Sequence, residues 1–277
     1  MKVKKVINNN VIISENEQGS EIIVMGSGIG FKKKVSDVVD SQLIEKTYVS
    51  NDQWSVNKLT QLLSSIPIEH IQVANEIISF AKVSLGKSLS DNLFLTLADH
   101  INYAIERNNN GLEIKNALLW EIKRFYNHEF LIGREALSII KNKLGVDLPE
   151  DEAGFIALHI VNAELNMGKV SQVSEMTEII QKILNIVKYH FGNDIDEYSI
   201  NYERFITHLK FFVQRLFSNV QLETDDLSSF MFTLKEKYLN EYQCALKIDQ
   251  FIKSEFGRSL QEDELIYLTI HLKRIGN

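Results

Sequence analysis

The chain has 277 residues, 44% of them hydrophobic, and a net charge of −7, which leaves room for two or three ordinary soluble domains. The single Cys244 excludes a disulfide scaffold and fits a reducing compartment. No apolar run approaches the ~18 residues of a membrane span. The start, MKVKKVINNN, lacks an apolar core of signal-peptide length, so a cytoplasmic location is expected. The charge is uneven: residues 1–50 hold seven lysines against six acids, so the other 227 carry about −8. An acidic body repels a phosphate backbone, which confines any nucleic-acid contact to the N-terminal piece.

That piece reads as short strands. Val3–Ile7, Val11–Ser14, Glu21–Met25 and Ile44–Val49 are rich in Val and Ile. Turns at Asn8-Asn9-Asn10, Glu17–Ser20 and Gly26–Gly30 separate them, predicting a small antiparallel sheet. So small a core is marginal alone, and completion by a second copy is expected. A short connecting helix is predicted around Trp54, Leu59, Leu62 and Leu63, and Pro67 suits the start of the next domain.

From residue 67 on, the chain is helical in pattern and duplicated. Leu148–Val161 (LPEDEAGFIALHIV) returns as Leu260–Lys273 (LQEDELIYLTIHLK), with eleven residues from leucine to histidine in each. Val73–Arg107 parallels Glu178–Arg215, and Arg134–Glu152 parallels Gln243–Glu264. Asp147-x-x-Glu150 and Ser259-x-x-Glu262 have capping-box form, with Pro149 suited to a first helical position.

Four of the seven histidines, His100, His159, His208 and His271, stand at repeated places inside these helical patterns. As structural residues they would be boundary histidines satisfied by carbonyls or carboxylates. A metal-dependent helical enzyme using the pairs is the alternative, but paired positions 59 and 63 residues apart, without a cysteine cluster, give it no close-spaced ligand set. No nucleophile elbow is present. Phosphoryl acceptance needs less: an accessible imidazole nitrogen, a group fixing the tautomer and nearby donors. Asp99 beside His100, and Arg204 and Arg215 near His208, are candidates for the supporting roles.

In the sheet, Asn8–Asn10 offer amides to base edges, Gly26, Gly28 and Gly30 allow close backbone approach, and Lys5 and Lys32–Lys34 can meet phosphates. Phe31, the one aromatic before Tyr48, suits stacking on unpaired bases. The same residues could instead fill a small core and turn the chain. The glycines are not a dinucleotide fingerprint, and no helix-turn-helix pattern appears here.

Together, KVINNNV (Lys5–Val11), VMGSGIGFKKK (Val24–Lys34), IEKTYV (Ile44–Val49), LADHINYAI, NALLWEIKRFY, LPEDEAGFIALHIVNAEL, THLKFFVQRLF and ELIYLTIHL resemble the BglG/SacY family of bacterial transcription antiterminators across essentially the whole chain. The resemblance implies a multidomain fold: a dimeric antiparallel β RNA-binding domain (1–57), a linker (58–66), and two homologous all-α regulation domains of the sugar phosphotransferase system (67–169 and 170–277). It implies that Asn10, Gly26, Gly28 and Phe31, with Lys5 and Ser27, face an RNA hairpin, the ribonucleic antiterminator, whose capture blocks a terminator ahead of sugar-uptake genes. His100 and His159, then His208 and His271, match the phosphorylation sites of the two domains. The implied partners are the phosphocarrier protein HPr, a sugar-specific permease (enzyme II) and a second copy of the chain. Such proteins are not enzymes and use no cofactor or metal. In the family, phosphorylation of the first domain usually inactivates and that of the second usually activates. Two positions depart from the pattern: Ser27 replaces a residue basic in some members, and Ser36 stands where glycine is frequent.

Overall fold

The structure is a computed structural model that describes residues 1–16, 18–49, 65–192, 195–218 and 234–276. The connecting helix expected around Trp54–Leu63, and all but the last two residues of the 58–66 linker, lie outside the described residues. The chain groups into two compact units, Met1–Ala117 with Asn127–Asn166, and Leu118–Tyr126 with Met167–Asn277.

In the first unit, β1 (Lys5–Asn8), β2 (Val11–Glu15), β3 (Glu21–Met25) and β4 (Lys46–Val49) form one antiparallel sheet in sequential order. The strands fall where the Val/Ile runs do, except that β1 is shifted to Lys5–Asn8 and β4 starts at Lys46 instead of Ile44. Ahead of β1, the Val3 N–H reaches the Asp37 carbonyl at 2.9 Å. Period-2 alternation divides the side chains cleanly. Ile12, Ile22 and Val24 pack with Val3, Ile29 and Val39 in a small core. Val11, Ile13, Ile23 and Met25 face the other way and join the core of the first helical bundle, beside Ile66 and Ile71.

That bundle is built from α1 (Ile68–Leu85), α2 (Asn92–Asn109), α4 (Asn127–Leu144) and α5 (Glu150–Glu164). Pro67 caps α1, and the apolar stripe Phe94, Leu97, Ile101 and Ile105 of α2 is buried. At the α4–α5 crossing a Cβ on Gly133 would collide with the Ala153 carbonyl oxygen, so the two backbones approach as closely as glycine allows.

The second unit holds α3 (Leu119–Phe125), α6 (Val170–Phe191), α7 (Ile200–Ser218), α8 (Leu239–Phe256) and α9 (Glu262–Ile275). The repeat is visible in its buried positions. Ile132, Gly133, Ala136 and Ile140 of α4 are matched by Cys244, Ala245, Ile248 and Ile252 of α8, each set running toward a glycine C-cap, Gly145 or Gly257. Helix α3 lies between α2 and α4 in sequence yet packs with the second unit. Its Arg124 pairs with Glu197 at 2.8 Å and donates to the Tyr202 hydroxyl at 2.5 Å.

The helix starts correct one expectation. Asp147 and Ser259 do not cap. Asp147 pairs with Lys141 at 2.7 Å, and α5 opens at Glu150, so Pro149 is the cap and not the first helical residue, and it has no N–H for a reciprocal capping box. Helix α9 uses a capping box two residues later than expected, in which the Gln261 N–H donates to Glu264 at 3.0 Å.

Candidate functional site

Two places gather the candidate residues, the Asn8–Phe31 corner of the sheet and the histidine pairs of the helices.

At the corner, the Asn10 side-chain oxygen accepts the Gly28 N–H at 2.8 Å, and its carbonyl accepts the Gly26 N–H at 3.0 Å. Asn10 therefore ties its turn to the glycine loop. A Cβ on Gly26 would strike the Leu43 carbonyl oxygen, so that position requires glycine sterically, while Gly28 has φ +71°, a conformation that favours glycine. The loop held this way presents Phe31 to solvent at 56% exposure, with Lys32 Nζ 5.2 Å from its ring centroid. Phe31 fills no core in this structure. Lys5 is exposed, and the exposed Ser27 gives its N–H to Glu45 at 3.0 Å. Ser36 has φ +78°, a conformation that favours glycine and costs a side-chain-bearing residue roughly 1–2 kcal/mol. A cavity of ≈ 200 Å³ lies between the Asn8–Val11 turn and the start of α1 at Ile66–Ile68 and Ile71.

The helices bring the histidines together in twos. His100 on α2 and His159 on α5 have ring centroids 4.9 Å apart, and His208 on α7 and His271 on α9 are 4.0 Å apart. Residues 59 and 63 positions apart in sequence thus become neighbours because α2 packs against α5 and α7 packs against α9.

The surroundings of the pairs differ. His100 Nε2 stands 3.1 Å from Glu152 Oε2, and the other oxygen of Glu152 accepts Arg107 Nη2 at 2.5 Å. The His100–Glu152 contact is at ion-pair distance without hydrogen-bond alignment, and neither atom has a hydrogen-bond partner. Arg107 is itself buried, with its guanidinium 4.8 Å from the Tyr103 ring centroid. Burial, and then the charge of His100, hold His159 well below the usual histidine pKa, and its Nδ1 has no hydrogen-bond partner. Asp99 is exposed; the carboxylate beside His100 is Glu152.

Around the second pair the nearby charges are positive. Burial first, then Arg274 and Arg204, lower the pKa of His208. Burial, His208 and Arg274 pull His271 down to about 4. Tyr267 sits edge-on to both rings, at 5.3 and 4.5 Å, and burial raises its hydroxyl pKa against the charge of Arg215. Among the described residues no group of three His, Cys, Asp or Glu side chains could hold a metal ion.

Arg107 and Glu152 are not singled out by any motif of their own, but the repeat marks them. An arginine follows the first histidine of each half by seven residues (His100–Arg107, His208–Arg215), and a glutamate precedes the second by seven (Glu152–His159, Glu264–His271).

A small sheet with a solvent-facing aromatic loop, followed by two helical repeats that each close a histidine pair, defines a regulator with a binding module and a duplicated sensor module. Residues 1–56 match the CAT RNA binding domain, and residues 75–163 and 181–275 each match the PRD domain. The chain is 54% identical over 275 residues to the Transcription antiterminator LicT of Bacillus subtilis (strain 168), covering 99% of each. It is 45% identical to the Beta-glucoside operon antiterminator of Dickeya chrysanthemi, covering 99% of this chain and 96% of the relative. The crystal structure of GlcT CAT-PRDI is similar at TM-score 0.52 and 36% identity, covering 59% of this chain and 97% of that one. The chain belongs to the BglG/LicT family of transcription antiterminators.

Proposed function

We propose that this protein is a transcription antiterminator that captures an RNA hairpin in nascent mRNA. A terminator ahead of sugar-utilisation genes of the β-glucoside type is thereby kept from forming. The observation that carries the reading is the solvent-exposed Phe31, held on a glycine loop by Asn10, inside the segment that matches the CAT RNA binding domain. In this reading Lys5, Asn10, Gly26, Ser27, Gly28 and Phe31 contact the hairpin. The active form is a cytoplasmic homodimer, and the protein is not an enzyme. Residues 1–57 bind RNA, 58–66 link, and 67–169 and 170–277 regulate.

Regulation in this reading is phosphorylation of His100 and His159 by a sugar permease and of His208 and His271 by the phosphocarrier protein HPr. It is supported by the two PRD matches and by the pairing of the four repeated histidines in twos, one pair in each helical repeat. Arg204 and Arg215 supply positive charge near the second pair. A phosphoryl group brings about two negative charges, enough to reset a helical interface.

The test is a gel-shift titration of the full-length protein against a terminator-overlapping hairpin and a scrambled control, with Phe31→Ala alongside. The parent should select the hairpin. The variant should lose about 1–3 kcal/mol of binding, the worth of one base–aromatic stack, and keep its circular-dichroism spectrum. Equal affinity for both RNAs would remove the RNA function, and a folded variant with parental affinity would remove Phe31 from the interface.

A further inference from the structure

The two halves carry the same arginine and glutamate at the same offsets, but the glutamate is used differently. In the first unit Arg107 Nη2 meets Glu152 Oε1 at 2.5 Å, and Glu152 Oε2 is 3.1 Å from His100 Nε2. In the second, Glu264 turns to the start of its own helix and accepts the Gln261 N–H at 3.0 Å. No described carboxylate stands within ion-pair distance of His208 or His271. The charges felt by His208 come instead from Arg274 and Arg204.

A phosphoryl group on His100 would enter a site that already contains a buried carboxylate. Like charges in a partly desolvated site oppose one another strongly. The Arg107 guanidinium is a strong donor beside them, and its fork fits phosphate as well as carboxylate. Resting on the reading of His100 as a phosphoryl acceptor, we propose that Arg107 and Glu152 are positioning residues that form a clamp opened by that phosphoryl group. Arg107 passes from Glu152 to the phosphoryl oxygens, and Glu152 leaves the site. Because Glu152 lies in the first turn of α5, the opening is felt at that helix start. Phosphorylation of the second pair displaces no such carboxylate and leaves the Gln261–Glu264 cap of α9 in place. The two domains therefore answer the same modification differently.

The chemical step needs no partner protein. With phosphoramidate as donor, an imidazole nitrogen lone pair attacks phosphorus, the bond to the amino group breaks, and ammonia departs with the imidazole proton. Full-length parent, Glu152→Gln, Arg107→Gln and Arg107→Lys would be treated with phosphoramidate, and the lifetime of each phosphohistidine followed by site-resolved mass spectrometry. Glu152→Gln should lengthen the lifetime at His100 about tenfold, and Arg107→Gln should shorten it about tenfold, the scale of one charge-assisted hydrogen bond. Arg107→Lys should recover part of the loss, and lifetimes at His208 and His271 should not move. In the parent itself, modification of His100 should speed amide exchange at 150–153, while modification of His208 or His271 should leave 262–265 unchanged. Parental lifetimes at His100 in both the Gln variants, or unaltered exchange at 150–153 on phosphorylation, would overturn the clamp. A parent modified at His208 but never at His100 would remove the acceptor reading of His100, and the clamp with it.

Discussion

The two histidine pairs are copies that have drifted in electrostatics while keeping their geometry. One is made by α2 and α5, the other by α7 and α9, and both bring imidazole ring centroids within 5 Å of one another, at 4.9 and 4.0 Å. The first pair is built around a buried Arg107–Glu152 ion pair, whereas cations act on the second. The difference shows that a duplicated fold preserves which residues meet without preserving the charge they meet in. Glu152 and Glu264 occupy the same repeat position, yet one is spent on the site and the other on a helix cap.

The largest expected effect separates those two glutamates. Glu152→Ala leaves Arg107 as an unpaired buried cation and should cost about 3–5 kcal/mol. Glu264→Ala removes a capping interaction and should cost about 1 kcal/mol. Urea unfolding of the two variants measures both, and equal losses would erase the distinction.

Next comes the crossing of α4 and α5. Gly133 stands twelve residues before Gly145, and Ala245 stands twelve before Gly257, so Gly133→Ala only gives the first half the residue of the second. Its Cβ would nevertheless meet the Ala153 carbonyl, and a loss of about 1–3 kcal/mol is expected in the same assay. A neutral result would mean that the two crossings are interchangeable.

The last comparison is in pH. His271 has its folded pKa lowered from 6.5 to about 4, so the unfolded chain binds the proton more readily. Its contribution to stability is complete above about pH 6.5 and is lost as pH falls toward 4. Thermal melts between those limits should therefore show a declining midpoint, flattened in His271→Gln. His159, also lowered, adds to the same acid-side loss, so His159→Gln should flatten the profile as well. A variant His271→Gln with the parental slope would place the acid-labile group elsewhere.

Much of this was legible in the chain itself. The strand Glu21–Met25 was readable to the residue because a Val/Ile run is bounded by turns on both sides. The all-helical remainder, the repeat and the four histidines followed from periodicity and offset. What misled were local motifs with competing partners. Asp147 reads as a cap but is drawn to Lys141, and Asp99 adjoins His100 in sequence while Glu152 adjoins it in space. Neighbours along a helix point in different directions, about 100° apart per residue. Adjacency in sequence is therefore a poor guide to adjacency at a site.

By itself, the sequence determined the sheet-then-helices order, the duplication and the identity of the paired histidines, because hydrophobic period and repeat spacing are properties of one dimension. Only the tertiary structure decided which carboxylate faces His100, that α3 packs with the second unit, and that Phe31 is left in solvent. Those outcomes depend on which side of each helix or loop is used up by packing, and packing partners come from segments far apart in the chain.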